Sequence, residues 1–224
     1  MAGRRKSKFP RESLAARRER AATLLAGLRA LYPDSRTALD WETPLQLLVA
    51  TILSAQCTDE RVNLVTPALF RRFPDAAALA AASQEEVEEL IHSTGFFRNK
   101  AKNIRGAAQR IVAEHGGEVP DSMGELLALP GVARKTANCV LGTVFRRNEG
   151  VVVDTHVGRL ARRMGLTRET DPVKVERDLV KLFPRESWTV LSHMLIDHGR
   201  AVCTARRADC EACFLVAHCA QKEV

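Results

Sequence analysis

The sequence predicts an all-α, two-lobed helical protein. Three observations carry that expectation. Leu and Ala dominate the 224 residues while Tyr occurs once and Trp twice, and clusters of β-branched residues are few and short. Apolar residues recur at helical spacing in one segment after another. Helix start and stop signals bound those segments, and the connections between them are short. An apolar fraction of 46% is ample for a buried core.

Taken in order, Leu24, Leu25, Leu28 and Leu31 repeat at helical spacing in a helix over 14–31, which Tyr32-Pro33-Asp34 ends. Pro44, at a first helical position after Thr43, opens a helix through Leu45, Leu47, Leu48, Val49, Ile52 and Leu53. It is apolar nearly all round and belongs in a core. Ser54 to Asp59 breaks the run, and Thr58 or Asp59 can cap the helix carrying Val62, Leu64, Val65 and Leu69. Polar Gln56, at the end of a buried helix, reads first as an amide satisfying backbone groups at the junction. Short helices follow at about 75–82 and 84–92, the second with Ser83 and Glu86 at capping-box spacing. Thr94-Gly95-Phe96-Phe97-Arg98 then interrupts before a basic amphipathic helix over 99–114. Adjacent Phe residues at a turn are ordinarily core anchors, but a basic helix beyond them admits a wedge between bases. Ser122 and Glu125 form a further capping box opening 123–128, and Val151-Val152-Val153 is a brief extended run before Asp154-Thr155-His156. Helices near 155–164, 172–182 and 186–199 complete the body, with Asp171-Pro172 and Phe183-Pro184 at starts.

The formal charge of +7 invites a nucleic-acid reading, but residues 1–20 supply +6 of it and the other 204 residues only +1. The pI therefore reports mainly a basic arm, expected to be disordered. A DNA surface on the folded body has to be local, built from clusters such as Arg98/Lys100/Lys102/Arg105 and Arg134/Lys135. No window approaches the roughly 18 apolar residues of a membrane span, and no apolar segment of a leader follows the basic start, so a cytoplasmic protein is expected.

Leu129-Pro130-Gly131-Val132-Ala133-Arg134-Lys135-Thr136-Ala137 reads as a sharp turn running into a helix. Pro130 fixes its φ, Gly131 can take φ > 0, and the N–H groups of Gly131, Val132 and Ala133 then lie at a helix N-terminus. Such a turn is a phosphate cradle that reads no bases, or equally an ordinary helical hairpin in a core. Lys135 lies about 140° around the helix from Val140, so it projects away from the core side. Read by itself, it is a solvated lysine or a phosphate contact.

Cys57 and Cys139 fall inside apolar helical runs and read as small core residues. Cys203, Cys210, Cys213 and Cys219 are different, being spaced C-x6-C-x2-C-x5-C. Four thiolates in so short a segment can chelate one metal centre, zinc or iron–sulfur, and the absence of a secretory signal disfavours disulfides.

The hairpin, the Val153-Asp154-Thr155-His156 stretch, Leu53-Ser54-Ala55-Gln56-Cys57-Thr58-Asp59 and the terminal cysteines together resemble the endonuclease III family of helix-hairpin-helix DNA glycosylases. The match runs from about residue 37 to 219 in the same order. The resemblance implies a base-excision DNA repair enzyme, a bifunctional glycosylase and abasic-site lyase that removes oxidised pyrimidines. Its partner would be double-stranded DNA holding damaged bases or abasic sites, and the enzyme a monomer in the bacterial cytoplasm, associated with the nucleoid.

By the same resemblance Lys135 is the nucleophile and Asp154 the catalytic carboxylate. A neutral amine can attack C1′, expel the base and hold the sugar as a Schiff base, which acidifies C2′ for β-elimination. Because a carboxylate beside an amine favours the ammonium, Asp154 is assigned to oxocarbenium stabilisation and proton relay, and it can cap the next helix as well. A flipped-out base leaves a gap, which Gln56 and the residue after Gly95 would fill. That residue is usually a smaller aliphatic in the family, and here it is Phe96. Gly131, Val132, Ala133, Arg134 and His156 complete the implied DNA contacts, Ala133 standing where the commonest pattern has glycine. The four clustered cysteines would hold a 4Fe-4S cluster, with Arg206 and Arg207 presented to phosphate.

The implied organisation is a basic arm over 1–12, a continuous six-helix lobe over 37–148 with the helix-hairpin-helix at about 121–147, and a cluster lobe from 13–36 plus 149–224. Lys135 and the stop at Val224 argue against the adenine-specific branch. The alternative is a non-catalytic helix-hairpin-helix DNA-binding protein with a structural metal cluster. A ferredoxin-like carrier would leave the hairpin idle.

Overall fold

The computed structural model describes residues 12 to 221, and the basic arm up to Arg11 lies outside them. Among the described residues the secondary structure is helical apart from one isolated bridge between Cys203 and Ala208. The extended run Val151-Val152-Val153 has no strand partner there. No described helix is long and apolar enough to cross a membrane. The helices separate into two compact units, Thr37–Arg147 and the segments flanking it.

The continuous unit carries α2 (Pro44–Leu53), α3 (Asp59–Arg72), α4 (Ala76–Ala81), α5 (Gln84–Ile91), a 3₁₀ turn (His92–Thr94), α6 (Phe97–His115), α7 (Met123–Ala128) and α8 (Arg134–Thr143). The short helices expected near 75–82 and 123–128 form as α4 and α7, of six residues each, and counting them this unit holds seven α-helices where the family resemblance implies six. Side-chain caps set most starts: Thr43, Thr58, Asp75, Ser83 and Ser122 each accept a backbone N–H three residues on. Ser83 and Glu86 form the full reciprocal box. At Ser122 only half of the expected box forms, since the Glu125 carboxylate takes the Ser122 hydroxyl. Leu47, Leu53, Leu69, Leu79, Ile91, Ile104, Leu126 and Leu141 are buried together in this unit's core.

α6 begins two residues before the sequence-based start because the chain turns sharply at Gly95 and Phe96, both at positive φ (70° and 47°). A left-handed phenylalanine is sterically costly and gives α6 an abrupt start with no side-chain cap.

The second unit holds α1 (Leu14–Leu31), α9 (Thr155–Arg163), α10 (Pro172–Leu182), a 3₁₀ turn (Arg185–Ser187), α11 (Trp188–Ala201) and the cysteine loop. Leu24, Leu28, Leu160, Leu179, Leu191 and Leu195 form its core. Arg20, buried on α1, ties three segments of this unit together. Its guanidinium donates to Met164 O at 2.7 Å, His218 O at 2.9 Å and Gly165 O at 3.2 Å, and grips both Glu12 oxygens at 2.7 and 2.8 Å.

Replacing Arg20 with Met would leave the Glu12 carboxylate with Arg17 Nε alone, at 3.4 Å, and take this donor from three carbonyls, and about 3 kcal/mol of stability should be lost in urea denaturation. The hydrogen bond from Arg20 also holds the Glu12 carboxyl below its ordinary range. A depressed carboxyl pKa contributes stability above its unfolded-state value and loses it as pH falls through the folded-state value. The urea midpoint should therefore fall more steeply in acid for the wild type than for Arg20→Met.

Candidate active site and nucleic-acid interface

The hairpin turn is built against α6. Gly131 sits at φ 76°, and a Cβ there would lie 2.7 Å from Asn103 Cβ; Pro130 Cγ lies 3.2 Å from where a Cβ on Gly106 would be. Glycine at 131 thus serves both the left-handed turn and the close approach to α6. α8 starts with Ala133 in extended conformation and has no side-chain cap. The Val132 N–H closes the turn onto Leu129 O at 3.2 Å, and its side chain is buried. This corrects the expectation of three open donors, leaving Gly131 and Ala133 as the candidate phosphate contacts of the turn. Lys135 and Arg134 are exposed on the first turn of α8, whereas Thr136, Ala137, Val140 and Leu141 are buried.

The same unit carries Gln56 and Phe96. Four non-glycine residues have positive φ among those described, and these are two of them, Gln56 at 52° and Phe96 at 47°. Strained backbone of this kind persists where the surroundings hold it, and it gathers at functional sites. The two phenylalanines divide the alternatives between them: Phe97 is the anchor, its ring 4.4 Å from that of His92 and packed on the core, while Phe96 is 65% exposed. The basic cluster on α6 divides too. Arg98 and Lys102 are exposed, Arg105 is turned inward onto Ala82 O at 2.7 Å, and Lys100 is buried, so that Lys100 cannot face DNA as its place in the cluster implied.

Asp154 belongs to the other unit. Its Oδ1 accepts the Val157 N–H at 2.8 Å and caps α9, leaving the carboxylate half-buried. His156 is held within this unit, Nδ1 lying 3.2 Å from Arg159 Nη2. Burial, ahead of the nearby charges, keeps this imidazole below its ordinary pKa.

All four clustered cysteines line one pocket, together with Arg163, Met164, His198 and Leu215 among others. Among the described residues no group of three or more His, Cys, Asp or Glu is drawn together closely enough to hold one metal ion. The donors nonetheless suit a soft centre. Arg163 Nη1 lies 3.3 Å from Cys203 Sγ, His198 Nε2 3.5 Å from Cys213 Sγ, and the Gln221 N–H donates to Cys219 Sγ at 3.4 Å. Such contacts stabilise thiolate ligands. Burial, and then the crowding of the other thiols, pushes Cys219 up to about 11.

Arg159, Arg163, His198 and Tyr32, whose hydroxyl lies 3.0 Å from His198 Nδ1, escape the motif reading. A signal for the arginines is present: His156, Arg159 and Arg163 share a helix face in α9. For His198 and Tyr32 none is.

A family model described as "HhH-GPD superfamily base excision DNA repair protein" matches residues 49–185. Endonuclease III of Synechocystis sp. is 61% identical over 92% of this chain and 94% of its own length. The chain belongs to the endonuclease III family. Endonuclease III of Escherichia coli K12 is 38% identical over 89% of this chain and 94% of its own. Among solved structures, a non-covalent endonuclease III–DNA complex superposes with a TM-score of 0.86 at 38% identity, covering 91% of this chain and 95% of that one. A trapped endonuclease III–DNA covalent intermediate gives 0.86 over 91% and 96%. As a member of this family, the protein is a DNA glycosylase of base excision repair.

Two glycines separate turn geometry from propensity. Gly131→Ala places a Cβ at positive φ and against Asn103, and should cost about 2 kcal/mol or more in thermal unfolding. Gly124→Ala in α7, where a Cβ meets nothing within 4 Å, should leave the melting temperature unchanged or raise it.

Proposed function

We propose that the protein removes oxidised pyrimidines from double-stranded DNA and then cleaves the strand 3′ to the abasic site, through a Schiff base on Lys135. The observation that carries the reading is the exposed lysine on the first turn of an uncapped helix, directly after a Pro-Gly turn. The trapped covalent intermediate of a relative supports a covalent route.

The chemistry follows from the residue types. The Lys135 amine, once neutral, attacks C1′; the C1′–N bond breaks and its electron pair leaves with the base. Asp154 opposes the positive charge that builds at C1′ during departure. The amine loses a proton, the C1′–O4′ bond breaks with its electron pair leaving on O4′, which takes up a proton, and the resulting protonated imine withdraws electrons from C2′. Removal of a C2′ proton expels the 3′ phosphate, and water releases the unsaturated aldehyde from Lys135. Water in place of the amine would stop at base removal.

Binding is divided among the other residues. Gly131 and Ala133 hold the backbone at the turn, Arg134 adds charge beside it, and no base is read there. Gln56 and Phe96 fill the gap that the extruded nucleotide leaves. His156 contacts the strand near Asp154. Cys203, Cys210, Cys213 and Cys219 would hold a 4Fe-4S cluster, which cross-links the terminal loop and steadies exposed Arg206 and Arg207 for phosphate. The 37–148 lobe thus carries the hairpin, and the lobe from 13–36 and 149–224 the cluster. The enzyme acts as a monomer in the cytoplasm, at the nucleoid.

Incubation with a thymine-glycol duplex tests the reading. Wild type and Lys102→Ala should release the base and nick the strand, and Lys135→Ala should do neither. Binding without either product would favour the non-catalytic DNA-binding module. Because Asn caps a helix as well as Asp, Asp154→Asn should keep the melting temperature while slowing base release at least about a hundredfold. The purified protein should be brown, absorb broadly near 400 nm and carry about four irons per chain, the content of one such cluster; stoichiometric zinc without iron would refute the cluster.

A further inference from the structure

Lys100 is the one lysine of α6 whose side chain is not used at the surface. It is 4% exposed, and its Nζ donates to the Thr94 carbonyl at 2.8 Å. An ammonium buried against a main-chain carbonyl is a poor device for stability, since desolvation costs more than one such bond returns, and an apolar side chain of similar length would fill the space. Its use must lie in what the carbonyl controls.

Thr94 is the last residue of the 3₁₀ turn, and its carbonyl belongs to the peptide that leads into Gly95. The two residues that follow are those at positive φ, Gly95 and Phe96. The Lys100 side chain fixes the peptide before Gly95 through Nζ, and the first helical bond of α6, from the backbone N–H of residue 100 to the Phe96 carbonyl at 3.1 Å, fixes the peptide after Phe96 whatever side chain stands there. Further back, the Thr94 hydroxyl donates to Ile91 O at 2.8 Å, and Phe97 is set against His92. Everything around Phe96 is anchored, while its own ring is 65% exposed. A left-handed phenylalanine relaxes readily to a commoner conformation unless the flanking peptides are held, and either relaxation would swing the ring away.

We propose that Lys100 is a positioning residue that locks the Thr94–Phe96 turn and so presents the Phe96 ring, preformed, to the gap in the DNA. This rests on the reading of Phe96 as a gap-filling residue. Cys57, next to Gln56 in the chain, also lies near enough to bias the Lys100 ammonium toward its charged form, against the burial that pushes its pKa down. Preforming the ring matters because the order gained before binding is not lost on binding, and a small misplacement of an inserted group is costly in rate.

The test is a double-mutant cycle on the full chain with its cluster. Phe96→Ala, Lys100→Met and the double variant are compared by single-turnover base release, and by the fluorescence of 2-aminopurine placed opposite a tetrahydrofuran abasic analogue in the duplex. Each single variant should slow base release about tenfold and blunt the fluorescence change, and the double variant should be no worse than the poorer single one. Lys100→Gln, which keeps a donor at shorter reach, should fall between wild type and Lys100→Met, and it substitutes for the methionine variant if that one loses its helical circular dichroism. Losses that multiply in the double variant, or a Lys100 variant with wild-type signals beside an impaired Phe96→Ala, would overturn the positioning role alone. A Phe96→Ala enzyme with unchanged rate and fluorescence would overturn the gap-filling reading and the proposal with it.

Discussion

A helix N-terminus must satisfy its first backbone N–H groups, and the way each helix does so orders this structure. Among the described residues, eight α-helices are capped by a Ser, Thr or Asp side chain. α6, α8 and α11 are not, and α11 is entered through a 3₁₀ turn instead. The two remaining uncapped starts are preceded by Phe96 and by the Gly131-Val132-Ala133 turn, the places where the proposed function puts DNA. A serine at position 133 would satisfy α8 from within and compete with a phosphate for the same donors. Ala133 leaves that role open, at a cost in local stability that the buried faces of α8 and α6 offset.

The covalent reading of Lys135 depends on this same start. An amine carried on the helix rim beside a backbone-binding turn is kept at a set distance from the strand, which is what converts an ordinary solvated lysine into a nucleophile with a target. Asp154 reaches its task by a different route. It is bound to the start of α9 through Val157 N–H, so one carboxylate oxygen orients the side chain and, in the proposed mechanism, the other faces the sugar. The observed cap and the proposed catalytic role are compatible because the two uses fall on different oxygens.

Most of the helical framework was legible in the sequence because caps are local chemistry. Thr43-Pro44, Ser83 with Glu86 and Asp154 act over three or four residues, and each marks the helix end it implies. The start of α6 was not legible in this way, since φ > 0 at Phe96 has no signature in residue type and depends on a lysine four residues on. Lys100 itself looked like one more member of a basic surface cluster; whether a lysine turns inward is decided by the space between packed helices, which no local pattern states. The hydrogen bonds to the cysteine sulfurs were hidden for the same reason, since Arg163 and His198 reach the loop through tertiary packing. Val132 shows the reverse limit: its type and place fit a donor, but the turn consumes its N–H.

The proposed strand cleavage requires a covalent bond between Lys135 and C1′. The direct measurement is to reduce the reaction of wild-type protein and damaged duplex with borohydride, digest the adduct with protease and nuclease, and locate the retained sugar by tandem mass spectrometry. The sugar is expected on Lys135. Its appearance on Lys102 or on the terminal amine, or the absence of any adduct while base release proceeds, would contradict it.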